Sequence, residues 1–67
     1  MLLCDFLETR GYTQQAFADL VGCSRPTVSY WARGIKKPRP YWIQKIRAAT
    51  QGRVTANDLQ AAVELAA

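Results

Sequence analysis

The chain has 67 residues, 49% of them apolar and 21% charged. That leaves room for one small folded domain and gives little sign of disorder. Its formal net charge of +4 favours anionic partners, either phosphate backbones or an anionic membrane surface.

The first helix is expected to carry Leu3, Phe6 and Leu7 on one face and to stop at Gly11. Thr13 is a plausible N-cap for a second helix lined by Phe17, Leu20 and Val21, which ends at Gly22. Ser24 then caps a third, marked by Val28, Trp31 and Ala32, with Gly34 at its end and Ile35 just beyond. Gly34 to Arg39 is a short basic loop, closed by Pro38. Pro40 suits the first turn of a fourth helix, where its missing N–H costs nothing. Trp42, Ile43, Ile46 and Ala49 mark that helix, and Gly52 is its stop. Arg53-Val54-Thr55 is compatible with a short extended piece, although nothing obvious pairs with it. Thr55 and Asp58 form a capping-box-like pair for a fifth helix lined by Leu59, Ala62, Val63 and Ala66. No segment shows the sustained alternation of a half-buried strand. The expected fold is all-α, a compact five-helix domain spanning residues 1–67, with a helix-turn-helix formed by helices 2 and 3.

Little in the chain supports catalysis. It has no His, which removes the commonest general base and the commonest zinc ligand. Asp5, Glu8, Asp19, Asp58 and Glu64 are scattered along it. Cys4 and Cys23 form no C-x-x-C pair and read as free, reduced thiols of a cytosolic protein. No enzymatic activity, metal, cofactor or small-molecule ligand is expected. The opening Met1-Leu2-Leu3-Cys4 lacks a positive n-region, and no run approaches the roughly 20 apolar residues of a membrane span.

The informative stretch is Thr13 to Gly34, TQQAFADLVGCSRPTVSYWARG. Two helices joined only by Gly22-Cys23-Ser24 must cross tightly. Ala18 must be small where the third helix passes over the second, and Gly22 must take a positive φ, which costs other residues about 1–2 kcal/mol. Val28 must be apolar to fill the angle between the helices. A basic run adjoins the motif: no Asp or Glu lies between Asp19 and Asp58, while that stretch holds Arg25, Arg33, Lys36, Lys37, Arg39, Lys45, Arg47 and Arg53.

With both N-caps and the apolar faces, this segment resembles the helix-turn-helix of phage Cro-type repressors and the wider Cro/YdaS-like family of small regulators. Ile46-Arg47-Ala48-Ala49-Thr50-Gln51-Gly52-Arg53-Val54-Thr55 is similar to the same family's I-x-x-A-T-x-G-x-V-T stretch. The resemblance implies that the third helix is a recognition helix entering the major groove by its N-terminal residues. Arg25, Pro26, Ser29 and Tyr30 would then face base edges. Arg25 is the best reader, since a guanidinium can bond guanine O6 and N7 together. Pro26 offers apolar contact to a thymine methyl, and Tyr30 reaches a base or a phosphate. Thr13 and Gln14, at the start of the second helix, would meet phosphate through free N–H groups. Ser24 would cap its helix and touch phosphate, and Arg33, Lys36, Lys37 and Arg39 would grip the strand. Lys45, Arg47 and Arg53 read equally well as an ordinary solvated face. Arg25-Pro26 departs from a family pattern that often places an amide early in this helix.

The resemblance implies a sequence-specific regulator in a bacterial cytoplasm, binding a palindromic double-stranded operator as a weak homodimer and acting as a repressor. Candidate dimer surfaces are Leu65, Tyr41 or Trp42, and the segment around Arg53-Val54-Thr55. Trp31 is expected in the core; of Tyr41 and Trp42, one is expected in the core and the other exposed. Two other readings stay open: the DNA-binding regulator of a toxin–antitoxin-like module, and a protein-interaction domain on the same scaffold. The interaction domain would lack the positive stretch from Arg25 to Arg53. A membrane-surface peptide would need one long amphipathic helix, which the caps and stops argue against.

Overall fold

A computed structural model describes residues 1–66. It contains five helices in the expected order: α1 (Leu3–Arg10), α2 (Gln14–Val21), α3 (Arg25–Arg33), α4 (Pro40–Ala49) and α5 (Ala56–Ala66). No strand occurs among the described residues.

Local chemistry accounts for most of the boundaries. At the start of α2, the Thr13 hydroxyl accepts the Ala16 amide at 3.0 Å, satisfying one of the N–H groups a helix start leaves over. At its end Gly22 lies at φ 94°, and the Gly22 and Cys23 amides both donate to the Ala18 carbonyl, at 2.8 and 2.9 Å. α5 opens on a reciprocal cap. The Thr55 amide donates to the Asp58 carboxylate at 3.0 Å, and the Asp58 amide donates to the Thr55 hydroxyl at 3.3 Å. The Met1 ammonium completes this corner, 2.9 Å from the same carboxylate oxygen and donating to the Arg53 carbonyl at 3.1 Å.

Two boundaries differ from expectation. The Ser24 hydroxyl makes no capping bond to its helix; it is 2.8 Å from the Thr27 hydroxyl instead. A side-chain partner one turn away competes with the backbone for that oxygen. α4 ends at Ala49 with Thr50 as its cap, and the left-handed residues that follow are Gln51 and Gly52, not Gly52 alone.

Each helix lends a stripe to one core, made chiefly of Leu3, Phe6, Phe17, Val28, Trp31 and Ile46, with Ala18 at the crossing of α2 and α3. Phe6, Tyr12 and Phe17 cluster with ring centroids 6.0 to 6.2 Å apart and join α1 to α2. Leu20 and Ile35, expected on apolar faces, are 52% and 55% exposed. Because α3 crosses over Ala18, the buried stripe of α2 runs through Phe17, Ala18 and Val21, and Leu20 falls outside it. Ile35 lies past the end of α3, beyond the stripe formed by Val28 and Trp31. Ala66 is also exposed, at the last turn of α5.

Arg53-Val54-Thr55 forms no strand, and of the three only Arg53 is exposed. Val54 is fully buried. Its amide donates to the Thr50 hydroxyl at 3.1 Å, and that hydroxyl donates to the Arg47 carbonyl at 3.3 Å. A buried hydroxyl thus satisfies the chain where it turns from α4 into α5. This removes Val54 from the candidate dimer surface.

Gly34 packs against α5. A Cβ there would collide with the backbone of Ala62, lying 2.6 Å from its carbonyl carbon, whereas one at Gly22 would meet nothing within 4 Å. Both glycines have positive φ, so Gly22→Ala should cost about 1–2 kcal/mol through backbone strain alone. Gly34→Ala should add about 1–3 kcal/mol of overpacking. Urea unfolding of the two variants tests this, and equal losses would mean that α5 can withdraw from Gly34 freely.

Burial penalises the Asp58 carboxylate, but the bonds from Thr55 and the nearby Met1 ammonium outweigh that penalty and hold its pKa below the ordinary value. A lowered folded pKa contributes stability that is fully present above the unfolded value, about pH 4, and is lost as pH falls through the folded one. Asp58→Asn should therefore flatten the dependence of melting temperature on pH below about pH 4. An unchanged dependence would show that the carboxylate gains nothing from these contacts.

Candidate nucleic-acid interface

The short crossing between α2 and α3 decides which side of α3 is free. Val28 and Trp31 are buried and Ala32 is half-buried. Of the remaining positions Thr27 is half-buried beside Ser24, and Arg25, Pro26, Ser29, Tyr30 and Arg33 follow the one-, four-, five- and eight-residue offsets of a single helical face. Arg25, Pro26, Tyr30 and Arg33 are exposed, and Ser29 is half-buried at the edge of the stripe. All four residues expected to read bases therefore share one outward stripe, with Arg33 one turn further on.

The expected phosphate-binding groups flank this stripe in sequence. At the start of α2, Thr13 is exposed and Gln14 half-buried. The Thr13 hydroxyl is committed to the Ala16 amide. The amides of Gln14 and Gln15 precede the first intrahelical bond and are the N–H groups left for an anion. Ser24 is exposed at the start of α3, its hydroxyl shared with Thr27. Beyond α3, Lys36, Lys37 and Arg39 are exposed on a loop whose Pro38 is buried and anchors it.

The cations of this face are not neutralised by contact. The one ion pair among the described residues is that of Met1 with Asp58. Asp19, on α2, accepts a hydrogen bond from the Gln15 side-chain Nε2 at 2.9 Å. Two cations rest on an aromatic ring instead: the Arg33 guanidinium lies 5.7 Å and the Lys36 ammonium 5.5 Å from the Tyr30 ring centroid.

The aromatic residues divide between core and surface. Trp31 is buried, with its ring centroid 5.8 Å from that of half-buried Trp42. Tyr41 packs edge-on to Trp42 at 5.1 Å and is 62% exposed, with the Lys45 ammonium 5.6 Å from its ring. Neither tryptophan offers a free face like the exposed ring of Tyr41.

Sequence reasoning passed over Gln15 and Thr27. Gln15 was legible as a polar residue in the first turn of α2. The role of Thr27 depends on a rotamer and carried no signal. The contacts at Tyr30 had a partial one, because Arg33 follows it by three residues, the spacing of neighbours on a helix.

A family model described as helix-turn-helix matches residues 5–56, which takes in α1 through the start of α5. No curated protein and no solved structure matches the chain at comparable stringency. No helix among the described residues is long and apolar enough to cross a membrane. The match covers most of the chain and coincides with the crossing of α2 and α3 and its outward basic stripe: the chain belongs to the Cro/C1-type helix-turn-helix family of DNA-binding regulators.

Proposed function

We propose that the protein is a transcriptional repressor of the Cro type that recognises a palindromic double-stranded operator in a bacterial cytoplasm, with α3 in the major groove. The observation that carries this reading is the outward stripe of Arg25, Pro26, Ser29 and Tyr30 on a helix otherwise committed to the core. Arg25 stands at the first position of α3, where a recognition helix approaches base edges. Its two-pronged donor set matches guanine O6 and N7. Pro26, at the second position, offers an apolar surface to a thymine methyl, and Ser29 and Tyr30 extend the contact by one turn. Thr13, Gln14 and Ser24 hold the backbone of one strand; Arg33, Lys36, Lys37 and Arg39 hold that of the other. The same surface would serve the DNA-binding regulator of a toxin–antitoxin-like module, which differs in the genes it controls.

One α3 reads only a few base pairs, too few to select an operator among a genome's competing sites. Two copies related by a two-fold axis would span half-sites about 34 Å apart. With Val54 buried, exposed Tyr41 and Leu65, with half-buried Trp42 at the margin, remain as the self-association surface.

Selection of bound sites from a random duplex pool tests the repressor reading, and a two-fold symmetric motif is the expected result. The Arg25→Ala protein in the same selection should lose preference at one guanine per half-site and bind the wild-type motif about 1–3 kcal/mol more weakly. Enrichment of no motif by the wild type would sink sequence-specific regulation. Full retention of the guanine by the variant would assign Arg25 elsewhere.

The assembly is tested by sedimentation of the free protein beside a stoichiometry titration on a palindromic duplex. A largely monomeric free protein and two copies per palindrome at saturation are expected, because so small a patch is far below the roughly 1,200 Å² of a stable interface. One copy per palindrome would rule out the dimer, and a tight free dimer would rule out weak association.

A further inference from the structure

We infer that Tyr30 is a positioning residue for the DNA backbone contact, its ring holding the Arg33 guanidinium and the Lys36 ammonium toward the phosphates that flank the groove. The inference rests on the DNA-binding reading given above and adds a role for Tyr30 beyond contact with a base.

Tyr30 is 38% exposed, so its ring is partly supported by the protein and partly free. Arg33 and Lys36 both lie within 6 Å of the ring centroid, at 5.7 and 5.5 Å. At that range the negative face of the ring attracts a cation electrostatically. The backbone fixes the geometry. Arg33 stands three residues after Tyr30 on the same helical face, the spacing at which side chains meet. Lys36 lies beyond the end of α3, and it returns toward the ring because the chain reverses at Gly34. There the Ile35 amide donates to the Tyr30 carbonyl itself, at 3.0 Å. The same residue thus receives the turn on its backbone and the two cations on its side chain.

The arrangement has a direct electrostatic consequence. Two like charges drawn to one ring repel each other, and none of the ion pairs among the described residues offsets that repulsion. A phosphate brought between or beside them relieves it. Long cationic side chains also lose rotamer freedom when they grip a phosphate, and a ring that restrains them beforehand lowers that loss. Tyr30 therefore raises affinity for any duplex, whatever its sequence, in addition to any contact it makes with a base.

The test compares Tyr30→Leu and Tyr30→Phe on a duplex of random sequence, each in the wild-type background and in one carrying Arg33→Gln with Lys36→Gln. In the wild-type background, Tyr30→Leu should weaken binding about five- to tenfold, the effect of returning rotamer freedom to two long side chains in the free protein. Tyr30→Phe, which keeps a ring, should bind nearly as well as wild type. In the neutralised background, Tyr30→Leu should lose most of that effect, keeping only what Tyr30 itself contributes by contact. A loss of the same size there would mean that Tyr30 touches DNA itself, and a loss in Tyr30→Phe equal to that in Tyr30→Leu would mean that its hydroxyl does the work. Either result overturns the inference.

A second measurement needs no DNA. The side-chain proton resonances of Lys36 in the free protein should be shifted upfield by the ring and return to ordinary values in Tyr30→Leu. Unshifted resonances in a folded wild-type protein would overturn the arrangement itself. Failure of the wild type to bind any duplex, with the shift present, would overturn the role in DNA binding along with the reading it rests on, and leave only the cation–ring contacts standing.

Discussion

The Ala18 carbonyl accepts two amides at once, those of Gly22 and Cys23, and the angle between α2 and α3 depends on that junction. The paired bonds close α2 abruptly. They require a left-handed residue at Gly22, and they send the chain into α3 after only two further residues. The methyl of Ala18, fully buried beneath the crossing, lets the two helices approach. Once that angle is set, Val28 and Trp31 must point inward, and the opposite stripe has no choice but to face solvent. The far end of α3 is fixed as firmly, because Gly34 lies against the backbone of Ala62. A helix of nine residues is thus held by a hydrogen-bonded turn before it and by a close backbone approach after it, so its outward side chains are presented from a fixed mount. Rigidity of this kind is what a reading surface needs, since little ordering cost is then left to be met on binding.

Charge follows the same logic. The acidic side chains nearest the basic stretch in sequence are both engaged. Asp19 accepts a bond from the Gln15 side-chain Nε2, and Asp58 is held by Thr55 and the Met1 ammonium. Capping therefore draws one carboxylate into the α5 corner, where its charge is partly balanced. Arg25, Arg33, Lys36, Lys37 and Arg39 keep their full charge at the surface. A net charge of +4 is modest, but segregated in this way it produces a directional field that can steer a polyanion toward α3.

How much of this was legible in the sequence depended on whether backbone or side-chain geometry decided the outcome. The five helices, the crossing at Ala18 and the outward stripe all follow from spacing and from glycines that permit left-handed turns. Thr13 reads correctly as a cap because no other group nearby competes for its hydroxyl. Ser24 holds the N-cap position as read, but its hydroxyl meets that of Thr27 one turn away and caps no backbone amide. Leu20 and Ile35 were misassigned because periodicity finds apolar residues but not the line along which a neighbouring helix crosses. Val54 was misread because its burial depends on the Thr50 hydroxyl, and a threonine after an alanine pair gives no warning of that role. The cations on Tyr30 are only partly legible for the same kind of reason. Spacing allows the contact, but rotamers make it.

Size imposes the last constraint. The Cα trace extends 27 Å along its longest axis and 21 and 18 Å along the others, while half-sites one helical turn apart put recognition helices about 34 Å from each other. Two copies on neighbouring half-sites therefore cannot overlap broadly. They can meet only edge to edge, near residues at the rim of the domain, so the shared surface is small for geometric reasons before composition enters. A broad interface would require extra chain reaching across the gap, and a much larger core would move α3 away from the partner's. On the proposed two-fold reading, a domain of these dimensions is led toward weak self-association, with the duplex supplying the alignment its own surface cannot. Tyr41 and Leu65, 62% and 74% exposed, supply only two side chains to such a contact and fit that regime. An aromatic and an aliphatic contact at the rim can bias two copies toward one orientation on DNA without holding them together off it.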